Sequence, residues 1–293
     1  MTARILDGKK VAAEMRAEFV DEVAALRKKD ITPGLGVLLV GDDPASRSYV
    51  TAKEQACENT GLFSKEIRLK AGASKEAILD VVRDFNRSSD IDGILVQLPL
   101  PDASIEEEVI DTILPEKDVD GFHPVSVGRM MMGRQTFLPC TPHGIVHLLV
   151  RSGVIIEGAH VVIVGRSNIV GRPLSNMLSQ KNLMGNATVT VCHTRTPDIG
   201  AYTRKADIVV AAAGRPDTVT ADMVREGAVV VDVGVNRVED PSKKRGYRLV
   251  GDVAFNEVAE KAAAITPVPG GVGPMTITML LFNTIQSAKK RNA

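Results

Sequence analysis

The sequence contains no tryptophan, and aromatic residues make up only 3% of its 293 positions. Its 36 basic and 36 acidic side chains give a formal net charge of zero. A protein that binds nucleic acid needs a basic surface for the phosphates, and single strands also need aromatic platforms for the bases. The composition therefore argues against a nucleic-acid partner. It favours a globular protein, with 44% hydrophobic and 25% charged residues.

Cysteine is also scarce. Cys57, Cys140 and Cys192 are far apart in the sequence and form no C-x-x-C pair, which argues against a disulfide framework and against a thiolate metal site. No apolar run approaches the roughly 20 residues that a membrane-spanning helix needs, and the charged N-terminus does not resemble an export signal. We therefore expect a cytoplasmic protein with no membrane partner.

Several catalytic motifs are missing as well. There is no G-x-S-x-G turn and no G-x-x-x-x-G-K-[ST] loop, which argues against a serine hydrolase and against an ATP-driven ligase. His143 and His147 have the spacing of zinc ligands on a helix, but the residues between them are Gly, Ile and Val, without a glutamate base. We predict a helix-packing role for this pair and no metal site.

Strand and helix patterns alternate in two series along the chain. A chain of 293 residues exceeds the usual size of one hydrophobic core, so two lobes are expected. The first series contains the strands GLGVLLVG, FSKEIRL and IDGILVQLPLP, and the second contains HVVIVG, ATVTVCH, ADIVVAAA and AVVVDVGV. Continuously apolar, Val-rich strands are typical of parallel sheets that helices cover on both faces. The sequence therefore predicts an α/β protein with two α/β lobes.

The strand HVVIVG leads into a polar turn with two glycines, Gly165 and Gly171, and Pro173 stands at the start of the following helix. This order lets the backbone approach a pyrophosphate at the N–H groups of a helix N-terminus. The spacing departs from G-x-G-x-x-G, because Ser167 occupies the second glycine position and Gly171 comes one residue late. The alternative interpretation is an ordinary tight connection between a strand and a helix.

The next strand ends in CHTRT, residues 192–196, without the carboxylate that usually binds the ribose 2′-hydroxyl of NAD. Hydroxyl, imidazole and guanidinium groups suit a 2′-phosphate instead, and Arg166 in the glycine turn adds a second cation. The sequence therefore favours NADP over NAD. The alternative is that Arg166 and Arg195 are solvated surface charges.

Candidate catalytic groups lie in the first series. Tyr49 and Lys53 are four residues apart and share one face of a predicted helix, where partial burial would lower the pKa of the lysine. Gln97 ends an apolar strand and needs a hydrogen-bond partner, which could be backbone alone. Asp118 and Asp120 alternate along KDVDGFHP, where turn formation is the simpler interpretation. A solvated surface position is the commoner state of any lysine.

Four segments resemble the family of bifunctional methylenetetrahydrofolate dehydrogenase/cyclohydrolases: SRSYVTAKEQACENTG, DGILVQLPLP with KDVDGFHP, VGRSNIVGRP, and TPVPGGVGPMT. The resemblance extends over nearly the whole chain. It implies a catalytic folate-binding lobe at residues 1–138, completed by the C-terminal helix at 270–293. It also implies a Rossmann-type NADP lobe at 139–269, a cleft joining the lobes, and a homodimer.

The resemblance also implies roles for individual residues. Lys53 would be the central acid–base group, Gln97 would hold and tune it, Tyr49 would pack on the folate, and Asp120 would hydrogen-bond the pterin. Arg166 and Ser167 match the family at the cofactor. The complete set of predicted NADP contacts comprises Gly165, Arg166, Ser167, Ile169, Gly171, His193, Thr194 and Arg195.

The implied reaction is NADP-dependent oxidation of 5,10-methylenetetrahydrofolate to the methenyl compound, followed by hydrolysis to 10-formyltetrahydrofolate. A dehydrogenase without the hydrolytic step, and an NADP sensor without turnover, remain the alternatives. Two positions depart from the family's pattern. Thr194 stands where a serine is common, and Ala254 replaces the second aspartate of GDVDF.

Overall fold

The structure is a computed structural model that describes residues 2–243 and 246–292, with the backbone alone described for residues 44–48. The strands are Arg4–Ile5 (β1), Gly34–Val40 (β2), Phe63–Leu69 (β3), Gly93–Val96 (β4), His160–Val164 (β5), Thr188–Cys192 (β6), Ile208–Ala211 (β7), Val229–Asp232 (β8), Asn236–Glu239 (β9), Tyr247–Val250 (β10) and Ala264–Ile265 (β11). The α-helices are Gly8–Arg27 (α1), Pro44–Thr60 (α2), Lys75–Arg87 (α3), Glu106–Thr112 (α4), Pro124–Met131 (α5), Cys140–Arg151 (α6), Gly171–Ser179 (α7), Gly200–Thr203 (α8), Phe255–Ala259 (α9) and Val272–Arg291 (α10).

The described chain divides into two compact units. Unit 1 comprises Met1–Ala12 and Thr141–Thr276, and unit 2 comprises Ala13–Cys140 and Ile277–Ala293. The first twelve residues belong to unit 1 because β1 pairs with β11, with Arg4 opposite Ala264. The α/β class with two lobes that the sequence predicted is confirmed.

In unit 2, the described strands form a parallel sheet in the order β3-β2-β4. The central strand β2 is buried along its whole length, as expected of a parallel strand whose apolar side chains are covered on both faces of the sheet. Helix α3 begins at a serine cap, where Ser74 accepts from the N–H of Ala77, and it buries one apolar stripe against this sheet. Strand β4 is shorter than the sequence predicted, because Pro99 and Pro101 have no N–H groups to donate to a ladder.

In unit 1, the described strands form a parallel sheet in the order β1-β11-β8-β7-β5-β6. The chain passes from β5 to β6 on one side, and then returns to place β7 on the other side of β5. This reversal makes the carboxyl ends of β5 and β7 a topological switch point, where doubly wound sheets bind their ligands. Val162, Val164, Val209 and Val230 lie in the core on this sheet.

Strands β9 and β10 form a separate antiparallel pair that the sequence analysis did not predict. Within residues 2–243 and 246–292, no helix combines the length and the apolar character that crossing a membrane requires.

Candidate functional site

Lys53 is a buried ammonium group on the inner face of α2. Only 8% of the residue is exposed, and its Nζ donates a hydrogen bond of 3.0 Å to Oε1 of Gln97. Burial lowers the pKa of Lys53, because the charged form loses solvation, while the nearby negative charge of Asp120 opposes that shift. The structure therefore places this lysine in a buried position and not on the solvated surface.

Gln97 fixes the lysine from the carboxyl end of β4. Its backbone N–H donates to Leu38 O at 2.9 Å, which continues the β2–β4 ladder by one residue. The side-chain Nε2 donates to Leu98 O at 2.8 Å, so the amide is held in the orientation that turns Oε1 to Lys53. The backbone bond and the bond to lysine, which the sequence left as alternatives, are both present.

Two further predicted residues are near this pair. Tyr49 lies one turn before Lys53 on α2 and remains 38% exposed, so part of its ring is open to a ligand, while burial raises the pKa of its hydroxyl. Asp120 is partly buried beside Lys53, and burial raises the pKa of its carboxyl against the opposing effects of the Lys53 cation and the Cys140 thiol. Unit 2 therefore brings Lys53, Gln97 and Asp120 together.

The turn that carries Asp120 is built by its neighbour Asp118. The Asp118 carboxylate accepts from the N–H groups of Gly121 at 3.1 Å, Phe122 at 3.2 Å and His123 at 2.9 Å. Burial raises the pKa of Asp118 to about 6. The predicted turn chemistry therefore describes Asp118, whereas the charge of Asp120 raises the pKa of Lys53.

Lys117, immediately before this turn, was not identified from the sequence. Its ammonium donates to the carbonyls of Phe85, Asn86 and Ser88 at 2.8–3.0 Å, where they end helix α3. Because the last carbonyls of a helix lack partners within the helix, this buried cation completes α3 and anchors the start of the Asp118 turn.

In unit 1, the glycine turn lies at the switch point of the sheet. Gly165 has φ +140° and follows β5, and a Cβ at this position would come within 2.1 Å of Ala212 O after β7. Only glycine allows this approach. Helix α7 then starts at Gly171 without a side-chain cap, but Arg172 N donates to Ser167 O at 3.1 Å and Pro173 has no N–H, so Gly171 and the turn residues before it supply the N–H groups at this edge. Arg166, Ser167 and Ile169 are exposed around them, which leaves this edge free for a phosphate ligand.

The end of β6 lies next to this turn. The register pairs Val164 with Cys192, so the residues that follow each strand emerge side by side at the carboxyl edge. His193 organises the CHTRT turn, because its N–H donates to Thr196 Oγ1 at 3.0 Å and its Nδ1 accepts from Arg195 N at 3.1 Å. Thr194 and Arg195 are exposed there.

A buried aspartate that the sequence analysis missed holds the adjoining loop. Asp252 Oδ2 accepts from the N–H groups of Ala213 at 2.6 Å and Gly214 at 2.8 Å, directly after β7. Its own N–H donates to Oδ1 of Asp232 at 2.8 Å, and burial raises the pKa of Asp232 to about 6. The acidic residues of VVVDVG and GDVAF were the available signal, since buried carboxylates need donors.

The two histidines on α6 contact each other. Nε2 of His143 and Nε2 of His147 are 3.1 Å apart and share a hydrogen bond, and His143 is buried. Burial lowers the pKa of His143 to about 3, so the ring is neutral at physiological pH. No group of three or more His, Cys, Asp or Glu side chains in the part of the chain that the structure describes has the arrangement of a metal site.

A Rossmann-type sheet with a glycine turn at its switch point, together with a buried lysine held by a glutamine, defines a two-unit α/β enzyme that binds a dinucleotide. Two family models match the chain in the same order. The one described as "Tetrahydrofolate dehydrogenase/cyclohydrolase, catalytic domain" matches residues 6–120, and "Tetrahydrofolate dehydrogenase/cyclohydrolase, NAD(P)-binding domain" matches residues 139–292. The chain therefore belongs to the tetrahydrofolate dehydrogenase/cyclohydrolase family.

Relatives support the same assignment over the full length. The "Bifunctional protein FolD" of Brevibacillus brevis is 53% identical over 291 residues, which covers 99% of each chain. The crystal structure of the bifunctional FolD enzyme of Campylobacter jejuni matches with a TM-score of 0.92 at 46% identity, covering 99% of each chain. The FolD structure of Trypanosoma brucei, complexed with NADP cofactor and inhibitor, matches with a TM-score of 0.94 at 41% identity, covering 100% of this chain and 99% of that one.

Proposed function

We propose that this chain oxidises 5,10-methylenetetrahydrofolate to 5,10-methenyltetrahydrofolate with NADP, and then hydrolyses the product to 10-formyltetrahydrofolate. Family membership, with both the catalytic and the NAD(P)-binding models matched, supports both activities. The observation that carries the proposal is the buried Lys53, held at 3.0 Å by Gln97 and facing the charge of Asp120.

The residues of unit 1 fit an NADP cofactor. The close packing of Gly165 against Ala212 O shapes the turn after β5, and the backbone N–H groups of this turn and of Gly171 at the start of α7 would be the donors to the pyrophosphate. Arg166, Thr194 and Arg195 offer the cations and the hydroxyl for a 2′-phosphate. When bound, the cofactor would accept the hydride from the methylene carbon of the substrate.

Lys53 manages protons during hydrolysis. The adjacent nitrogen lone pair assists departure of the hydride, so oxidation needs no strong base. Water attack on the methenyl carbon and opening of the ring do require proton transfers. The lowered pKa of Lys53 increases its neutral fraction near neutral pH, where the amine accepts a proton from the attacking water. Gln97 accepts a hydrogen bond from Nζ and so keeps the amine pointed toward one position.

Tyr49 and Asp120 orient the folate. The exposed part of the Tyr49 ring would stack on the flat substrate, and the Asp120 carboxylate would accept hydrogen bonds from the amino-pyrimidine edge of the pterin. Asp120 also stabilises the ammonium form of Lys53, so the same carboxylate serves binding and proton transfer.

Two assays on the purified chain test this function. Addition of methylenetetrahydrofolate and NADP should raise the absorbance of reduced nicotinamide, and methenyltetrahydrofolate added without NADP should be hydrolysed faster than in buffer. Oxidation without enzymatic hydrolysis would identify a dehydrogenase alone. Absence of both reactions, with NADP binding retained, would identify a sensor and refute the proposal.

We also propose that the chain acts as a homodimer in the cytoplasm. The family resemblance supports the dimer, and Met131, Met132 and Ile155 leave large apolar side chains exposed. The free thiols of Cys57, Cys140 and Cys192 suit a reducing compartment. Light scattering should give twice the chain mass of 31.3 kDa, and a mass of 31.3 kDa would refute the dimer.

A further inference from the structure

Asn283 is a buried amide on α10, in the part of that helix that belongs to unit 2. Only 2% of the residue is exposed. Its Nδ2 donates two hydrogen bonds, one of 2.8 Å to Val119 O and one of 3.0 Å to Leu138 O. Both hydrogens of the amide are therefore used on backbone carbonyls, and these carbonyls belong to segments 19 residues apart in the chain.

The two segments that Asn283 binds, the Asp118–Gly121 turn and residues 138–140, are in close contact. Val119 immediately precedes Asp120, and the Asp118 turn closes on Gly121. Gly121 has φ +76°, and a Cβ there would lie 2.6 Å from Pro139 N and 2.7 Å from Leu138 C. The turn that carries Asp120 is therefore seated directly against the segment that Asn283 also binds.

Cys140 contacts both the Asp118–Gly121 turn and Asn283 on α10. Its thiol lies 3.4 Å from Val119 O and beside the Asp120 carboxyl, whose pKa it lowers, and the Asn283 Nδ2 is 3.8 Å from its sulfur. The carbonyl of Val119 accepts from Asn283 and also lies within reach of the single S–H hydrogen of Cys140. The backbone beside Asp120 is thus held at one point from two sides.

We infer that Asn283 is a positioning residue for the proposed acid–base pair: its amide ties the Asp118–Gly121 turn to residues 138–140 and so fixes Asp120 beside Lys53. This inference rests on the proposed function. Loss of the amide leaves Leu138 O without this donor and Val119 O with only the weak Cys140 thiol, so the turn shifts to recover hydrogen bonds, and Asp120 shifts with it. Small displacements at a reacting centre reduce rates steeply.

The test compares Asn283→Ala with Ser287→Ala. Ser287 lies one turn further along α10 and is equally buried, and its single hydroxyl hydrogen is shared between Asp92 O at 2.7 Å and Glu116 O at 2.8 Å, neither of which belongs to the Asp118–Gly121 turn. The substitution at Ser287 also removes a buried side-chain donor to backbone carbonyls, so it controls for a loss of this kind on the same helix. For Asn283→Ala we expect kcat of methenyl hydrolysis to fall by about tenfold or more. The KM for folate should rise while the KM for NADP stays within about twofold, because unit 1 is unchanged.

A pH profile separates positioning from general destabilisation. In the wild type, the Asp120 charge raises the pKa of Lys53 against the effects of burial, and the Cys57 and Cys140 thiols face the same amine. Displacement of Asp120 should therefore move the limb of the hydrolysis profile that belongs to Lys53 to lower pH in Asn283→Ala. The limb should not move in Ser287→Ala.

If the alanine variant does not fold, Asn283→Ser replaces it in the test, because the serine hydroxyl keeps one hydrogen-bond donor. We expect Asn283→Ser to show the same changes in rate and pH profile, but smaller ones. If the wild type is active and Asn283→Ala shows the same rates as Ser287→Ala and an unshifted pH profile, the positioning role alone is overturned. An inactive wild type would overturn the proposed function and the inference with it.

Discussion

Lys53 carries two opposing influences, since burial lowers the pKa of its ammonium and the Asp120 charge raises it. Such a balance keeps both protonation states accessible, which proton transfer requires. It also explains why Gln97, and not a carboxylate, accepts the hydrogen bond from Nζ. A carboxylate in direct contact would hold the lysine permanently charged.

Replacement of this lysine gives a direct test at the scale of one residue. Lys53→Met keeps the apolar stem and removes the amine, so we expect hydrolysis of added methenyltetrahydrofolate to fall about 10²- to 10⁴-fold, the usual contribution of a general acid–base group. Lys65→Met, at an exposed position of β3, is the control and should retain full activity. Full hydrolysis by Lys53→Met would show that another group carries the proton.

Arg166 tests the cofactor preference. Arg166→Ala should weaken NADP binding about tenfold or more, because a charge-assisted hydrogen bond to the 2′-phosphate is lost, and NAD has no such phosphate. Arg172→Ala is the matched control, since the Arg172 guanidinium is bonded to Asn168 at 2.8 Å in the same turn. Titration calorimetry with both cofactors measures the effect. Equal losses for NADP and NAD would remove the proposed role in phosphate binding.

At the scale of an element, α9 begins without a cap. Ala254, which departs from the family's aspartate, occupies the N-cap position with φ −67° and ψ 76°, and its side chain offers no acceptor for the first N–H groups. Its N–H is already used on Val219 O at 2.9 Å, which holds the start of the helix in place. The residue also lines a cavity of about 540 Å³ in unit 1, so a larger side chain has room.

We therefore expect Ala254→Asp to stabilise the protein. A carboxylate at this position would accept from the N–H groups near Asn256 and Glu257, and such caps are worth about 1 kcal/mol. Urea denaturation should give a free energy of unfolding higher by about that amount. Ala254→Val is similar in size without an acceptor, so it should give no gain. A gain of equal size in both variants would point to filling of the cavity instead.

The order of the elements follows from local patterns. The strands GLGVLLV and HVVIV are continuously apolar, and helix α3 repeats its apolar residues with a helical period, so neighbouring side chains alone determine these structures. Strand β1 has only two residues and no such pattern. It forms because Arg4 meets Ala264, a partner 260 residues away, and no local signal encodes that pairing.

At the scale of the whole molecule, buried titratable groups make the free energy of unfolding depend on pH, and histidine and aspartate act in opposite directions. His143 has a folded-state pKa near 3, below the ordinary 6.5, so the unfolded chain binds the proton first. Its contribution to stability is complete above pH 6.5 and is lost as the pH falls toward 3. Asp118 and Asp232, with pKa values of about 6, act in the opposite direction between pH 6 and 3.8.

The difference between the wild type and His143→Gln isolates the histidine. Below pH 6.5 this difference should change by about 1.4 kcal/mol per pH unit, with the wild type losing the more stability. Urea denaturation at intervals from pH 7.5 to 4.5 measures it. Parallel curves for the two proteins would show that the histidine does not titrate between these states.

The sequence by itself determined the α/β class, the two series of strands, the glycine turn and the residue types of the site. These features depend on side-chain periodicity and on motifs that lie within about twenty residues. The tertiary structure decided which groups meet: Lys53 with Gln97, Asp252 with the loop after β7, and Asn283 with Val119. Hydrogen bonds between distant segments are short-ranged and directional, so only packing of the whole unit determines which donor finds which acceptor.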